Sequence, residues 1–228
     1  MQGAIERYAR KFNLLEVRVD SQAPVSSRTL NRWRKAVPPT FAFSVVLPNV
    51  VTELRASAQA QAALELSIET ATVLQAPAIV IANPPSVTPT AAHRRGLERL
   101  VERLPRDAVK IAWEPAGLWE PDMTRAIALD LGLVLIADAS KDTLAPGAVA
   151  YTRIRGLGDY RRLSSTRIDA LVQHTRGYRE LFAVIETDGP TAIATALRAA
   201  ADEASLVERM PRTRYVDFSL HADDEEQE

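Results

Sequence analysis

The residues with most chemical capacity lie in one stretch, Tyr151-Thr-Arg-Ile-Arg-Gly-Leu-Gly-Asp-Tyr160. Strand alternation puts Tyr151, Arg153 and Arg155 on one face and Thr152 and Ile154 on the other. Two arginines on one face of a central strand are costly to bury without anionic partners. A guanidinium offers a fork of donors matched to phosphate or carboxylate, so Arg153 and Arg155 are candidate clamps for a small anion. Gly156 and Gly158 suit a turn. No Gly-Lys-Ser/Thr follows them, so they do not form a phosphate loop. Tyr160 offers a ring at the exit of the same strand.

Other charged residues fall at the ends of other apolar runs. Glu16 and Arg18 lie in Leu14–Val19, Glu114 follows Lys110–Trp113, Asp138 follows Leu133–Ala137, and Glu186 follows Leu181–Ile185. Glu16 and Glu114 are candidates for general acid and base. Asp138 and Glu186 join the arginines as candidate ligand contacts, and their carboxylates suit a divalent cation. A second reading needs no ligand: the same charges can compensate one another, Glu16 with Arg153 for example, in a structural network.

The rest of the composition narrows the classes. The histidines, His93, His174 and His221, are far apart, and there is no cysteine. No thiolate or histidine metal centre is expected, and no nucleophile–histidine pair stands out. The net charge is -1, and Asp223–Glu228 holds five acidic residues, which leaves +4 on the rest. That balance gives little general attraction to nucleic acid. No apolar run is long enough to cross a membrane, and the N-terminal MQGAIERYARKF lacks an apolar signal core. These features lead us to expect a cytoplasmic protein.

The elements that position these residues follow from periodicity. Helices are expected at 4–12, 27–35, 56–75, 91–104 capped by Thr90, from Asp122 or Thr124 to Asp130, 165–176 capped by Ser164 or Ser165, and 190–204. Strands are expected at 14–19, 41–47, 78–82, 110–113, 133–137, 148–155 and 181–185. In the first strand Leu15, Val17 and Val19 would face helices, which turns Glu16 and Arg18 inward. Seven strands alternating with helices imply a parallel α/β sheet closed as a TIM-type (β/α) barrel, with the first strand of a full eight missing or replaced. The barrel is expected over 1–204. Residues 205–228 form a C-terminal extension, with a disordered acidic tail from about 221.

The order of motifs resembles the YecE-like family, domain of unknown function 72. They are Arg7–Phe12 before Leu15-Glu-Val, Trp33 with Pro38–Ser44, Asn83-Pro-Pro-Ser86, Trp113-Glu-Pro with Gly117 and Trp119, Asp138, and Tyr151–Gly156 with Tyr160. The resemblance runs from about Glu6 to Ala200 and implies a TIM barrel without assigning an activity. It matches family positions at Glu16, Glu114, Asp138, Arg153, Gly156 and Tyr160. It departs at Val46, where the family has lysine, at Ala116 for arginine, at Arg155 for histidine, and within Glu186–Asp188 for paired asparagines. The scaffold is kept and much of the polar mouth is rewritten.

Three functions are consistent with this reading. A small phosphate- or carboxylate-bearing ligand is expected at Arg153 and Arg155, with Tyr160, Arg18, Asp138 and Glu186 around it. Alternatively, the chain is a catalytically inert scaffold completed by a protein partner or a second copy at the open barrel face. A third reading is hydrolysis of a phosphodiester or glycoside by Glu16 and Glu114.

Overall fold

The computed structural model describes residues 2–155 and 164–209. Helix α1 (Gln2–Ala9) precedes strand β1 (Leu14–Arg18). Helix α2 (Ser27–Lys35), β2 (Ala42–Val46), the short α3 (Asn49–Thr52), α4 (Ala58–Leu74) and β3 (Ala78–Ala82) follow. Then come α5 (Ala91–Glu102), β4 (Lys110–Glu114), α6 (Pro121–Asp130), β5 (Val134–Ala137), β6 (Val149–Arg155), α7 (Ser165–Thr175), β7 (Glu180–Glu186) and α8 (Pro190–Arg209). The seven strands pair in sequence order, all parallel. Together they curl into a nearly closed TIM-like barrel flanked by helices.

Alternation sorts the side chains into two layers. Leu15, Val17 and Val19 pack outward with Leu30, Phe41, Phe43, Leu64 and Leu74 in the helix-covered core. Leu14 points the other way, into an interior cluster of Val46, Ala78, Val80, Ala112, Ile136, Tyr151 and Phe182. A third cluster of Ala150, Ile154, Leu171 and Ile193 lies beneath α7 and α8. Burying each of the valine, leucine, isoleucine and phenylalanine side chains among them stabilises the fold by roughly 1.5–3 kcal/mol. The apolar layers thus fix the register that carries the polar mouth.

Helix starts follow side-chain chemistry. Ser57, Thr90 and Ser164 each accept a hydrogen bond from a backbone N–H in the first turn, as expected of hydroxyl caps. Several boundaries differ from expectation. Helix α6 opens at Pro121, with Glu120 at its cap and no side-chain cap bond; proline's fixed φ favours that position. Helix α1 stops at Ala9, short of Phe12. Pro48 is followed by the α3 turn, which is too short for periodicity to reveal. Helix α8 continues past 204 to Arg209, so the last barrel helix crosses the boundary expected there.

The sheet ends at β1 and β7, which pair with β2 and β6 and, among the described residues, not with each other. A groove of about 380 Å³ runs along this seam. Tyr8, Phe12 and Leu14 line one side and Leu181, Ala183 and Leu197 the other, and Glu16 is reached from it.

Candidate functional site

The site is built from the C-terminal halves of four strands. Arg153 on β6 is almost fully buried, with 3% of its side chain exposed. Its Nη2 donates to Glu16 Oε1 on β1 at 2.8 Å, and its Nη1 pairs with Glu114 Oε2 on β4. Its Nε lies 4.0 Å from Glu186 Oε1 and makes no hydrogen bond. Burial works to lower the Arg153 pKa, but Glu16 and Glu114 outweigh it and hold the guanidinium above its ordinary value. Arg153 is thus the charged centre of the barrel interior.

Tyr151 sits one alternation below Arg153 on the same face. Its hydroxyl donates to Glu16 Oε1 at 2.6 Å and accepts from Ser44 Oγ at 3.0 Å. Burial, then the nearby Glu16 charge, pushes the Tyr151 phenol well above its usual range. Glu16 therefore receives two donors at one oxygen, and Glu114 uses both of its oxygens on arginines.

Arg155 lies one alternation above Arg153, at the rim, with 42% of its side chain exposed. Its Nη1 pairs with Glu114 Oε1 at 2.6 Å, and its Nε donates to Glu186 Oε2 at 2.8 Å. Burial works to lower its pKa; the bonds to Glu114 and Glu186 raise it overall. The backbone N–H of Arg155 donates to Asp138 Oδ2 at 3.1 Å. Asp138 Oδ1 also accepts from Ser140 N and Oγ, and Lys141 Nζ stands 3.5 Å from Oδ2. Asp138 is thus both a loop anchor and a neighbour of the rim.

Glu16, Glu114, Asp138, Arg153, Arg155 and Glu186 are therefore brought together. Arg18 is exposed at the end of β1, outside the ion-pair network. Tyr160, Gly156 and Gly158 lie outside the described residues. Among the described residues no group of three histidine, cysteine or acidic side chains converges as a metal site.

One structural polar link had no sequence signal. Asn83, after β3, accepts from Trp113 Nε1 at 2.6 Å and donates to Thr52 O at 2.6 Å, all within the core. Trp113 stacks edge-on with Trp119, whose Nε1 donates to Val87 O. These tryptophans are core plugs. The asparagine strut joins α3, β3 and β4 beneath the mouth.

A family model described as "Protein of unknown function DUF72" matches residues 2–213. The chain belongs to the DUF72 family. Among solved structures it is similar to a DUF72 family protein from Enterococcus faecalis, with 14% identity, coverage of 88% of this chain and 94% of that one, and a TM-score of 0.63. It is also similar to a structure of L-ribulose 3-epimerase, with 18% identity, coverage of 91% and 92%, and a TM-score of 0.57. Endonuclease IV from Thermus thermophilus matches at 14% identity, with coverage of 89% and 94% and a TM-score of 0.53. These likenesses establish the shared TIM-like barrel. No curated protein matches the sequence. Among the described residues of this DUF72 chain, no helix is long and apolar enough to cross a membrane.

Proposed function

We propose that this DUF72 barrel binds a small, oxygen-rich molecule of the sugar or polyol class at the rim formed by Arg155, Glu186 and Glu114. The observation that carries this is the partly exposed side chain of Arg155, held between two carboxylates at the strand ends, where TIM barrels carry their ligands. Hydroxyl groups both donate and accept, so they can bond to this rim without dismantling its ion pairs. Glu16, Glu114 and Glu186 against Arg153 and Arg155 leave one net negative charge, which favours a neutral ligand over a free anion. A sugar epimerase on the same fold gives a fold-level precedent only.

A second reading keeps the anionic ligand and narrows its contact to Arg155. It is supported by Lys141, which shares Asp138 with the Arg155 backbone and adds a second cation at that corner. Arg153 is out of reach of such a ligand: both of its Nη atoms are bound to glutamates, and its unpartnered Nε is buried. Under either reading Arg153 positions the carboxylates. Titration calorimetry with free pentoses and hexoses beside their phosphate esters separates the two. Binding of both forms with similar affinity supports the first reading; binding of the esters alone supports the second.

A further inference from the structure

We propose that the seam groove between α1 and α8 binds a single-chain amphiphile with an anionic head, a medium-chain fatty acid, at a site separate from the rim. Strands β1 and β7 approach there without pairing among the described residues. The groove, of about 380 Å³, is the size of a small-ligand site. Its floor is the helix-facing side of β7, Leu181, Ala183 and Ile185, roughly 13 Å long at strand rise. Tyr8 and Phe12 form one wall, and Ala194 and Leu197 of α8 the other. The aromatic residues of the groove are held in place. Tyr8 donates its hydroxyl to Leu14 O at 3.0 Å and packs on Phe12 with ring centroids 4.8 Å apart. Tyr178, which also lines the groove, donates to Leu144 O and Ala145 O at 3.2 and 3.1 Å. A slot formed in advance in this way lowers the ordering cost of taking up an apolar chain.

The charges along this groove select the head group. Arg176 and Arg179, just before β7, and Arg198 of α8 all line it. Arg198 Nη2 donates to the carbonyl of Lys11, which precedes β1. The three arginines therefore lie toward the end of the groove where β1 and β7 begin. Arg176 stands 3.4 Å from Glu203, but both side chains are at least half exposed, and such a pair contributes little. Among the described residues the Arg179 side chain has no partner. The one carboxylate among the described lining residues is Glu16, which is already bound to Arg153 and Tyr151. An apolar slot thus ends in guanidinium charge that little else compensates. Guanidinium forks match a carboxylate, whereas a cationic head is repelled there and a neutral one leaves the charge unused. Glu16 limits the tail, because a chain long enough to reach it meets a carboxylate in place of apolar surface.

The test is titration calorimetry of the full chain with decanoate below its micelle concentration, beside hexanoate, decanol and decylamine, with the oligomeric state measured in parallel. Decanoate is expected to bind saturably with one site per chain, and to bind more tightly than hexanoate by up to about fourfold per added methylene. Decanol and decylamine should bind at least about tenfold more weakly than decanoate, as loss of a charge-assisted contact implies. Arg176→Gln with Arg179→Gln, both on the surface, should weaken decanoate by a similar factor and leave decanol unchanged. Ala194→Trp should fill the slot and remove binding of both. No saturable binding by the wild-type chain would overturn the proposal, and so would decanol or decylamine binding as tightly as decanoate, whether or not Ala194→Trp folds. Undiminished decanoate binding in the double arginine variant would also overturn it. A dimer whose formation excludes decanoate would do the same and give the groove to a second copy.

Discussion

Arg153 on β6 and Glu16 on β1 stand 137 positions apart in sequence and meet at 2.8 Å across the barrel interior. The same guanidinium holds Glu114 on β4. One buried cation thus ties three strands, including a strand at the edge of the sheet. This polar bridge spans a seam that the described strands leave without backbone hydrogen bonds.

Removing that cation strands two carboxylates in the interior. Arg153→Ala is expected to cost about 3–5 kcal/mol, the usual penalty for unpairing a buried ion pair. Urea unfolding measures it. Combining Arg153→Met with Glu16→Gln and Glu114→Gln should recover much of the loss, because the uncompensated charges go with their partner. If Arg153→Ala unfolds like wild type, Arg153 is not the structural centre described here.

The asparagine strut gives a separate prediction. Asn83→Ala leaves the Trp113 indole N–H and the Thr52 carbonyl without their partner. The expected loss is about 1–3 kcal/mol for each buried group left unsatisfied. Asn83→Asp keeps an acceptor for Trp113 but turns a buried carboxylate oxygen toward the Thr52 carbonyl, so at neutral pH it should cost at least as much as Asn83→Ala. Chemical denaturation followed by tryptophan fluorescence reads both the stability and the environment of Trp113.

Alkaline pH should destabilise the fold. Tyr151 is held protonated by burial and by Glu16, so its folded-state pKa is raised above the unfolded value near 10. Above that pH the unfolded chain releases a proton that the native state retains, so the unfolded state binds fewer protons and stability falls with rising pH. Tyr8 shifts in the same direction, through burial and then Glu16. The contribution is complete below about pH 10 and is lost as pH climbs toward the raised folded value. Melting temperature against pH should fall more steeply for wild type than for Tyr151→Phe in that range. Equal slopes would contradict the assignment.

Helix α4 ends on Gln75 in the left-handed region, at φ 51°. Glycine adopts that conformation without steric cost. Gln75→Gly is expected to raise stability by a few tenths to about 1 kcal/mol. Thermal unfolding checks it, and a loss would mean that the Gln75 side chain contributes packing at this site.

The alternation of Leu14–Arg18 was enough to place Glu16 inside and Val17 outside, and hydroxyls before helical runs marked the caps at Thr90 and Ser164. Both signals are local, so the sequence carries them. The division of labour between Arg153 and Arg155 is not local. Alternation makes the two equivalent, yet one residue pair along β6, roughly 7 Å at strand rise, separates a sealed interior from the rim. Only the closure of the barrel sets that depth. The strut from Trp113 through Asn83 to Thr52 was hidden for the same reason, since its members are about 30 positions apart. The α3 turn was hidden because four residues carry no period.

The rim claim is tested most directly by a thermal-shift screen of wild type and Arg155→Ala against sugars, polyols, sugar phosphates and divalent cations. Arg155 is partly exposed, so its loss should leave the fold intact. A ligand at 100 times its Kd stabilises the native state by about 2.7 kcal/mol. The account predicts that at least one sugar or polyol gives such a shift in wild type and little or none in Arg155→Ala. No shift with any member of the panel, or equal shifts in the two proteins, would contradict a binding rim at Arg155. It would leave the ion pairs as architecture alone.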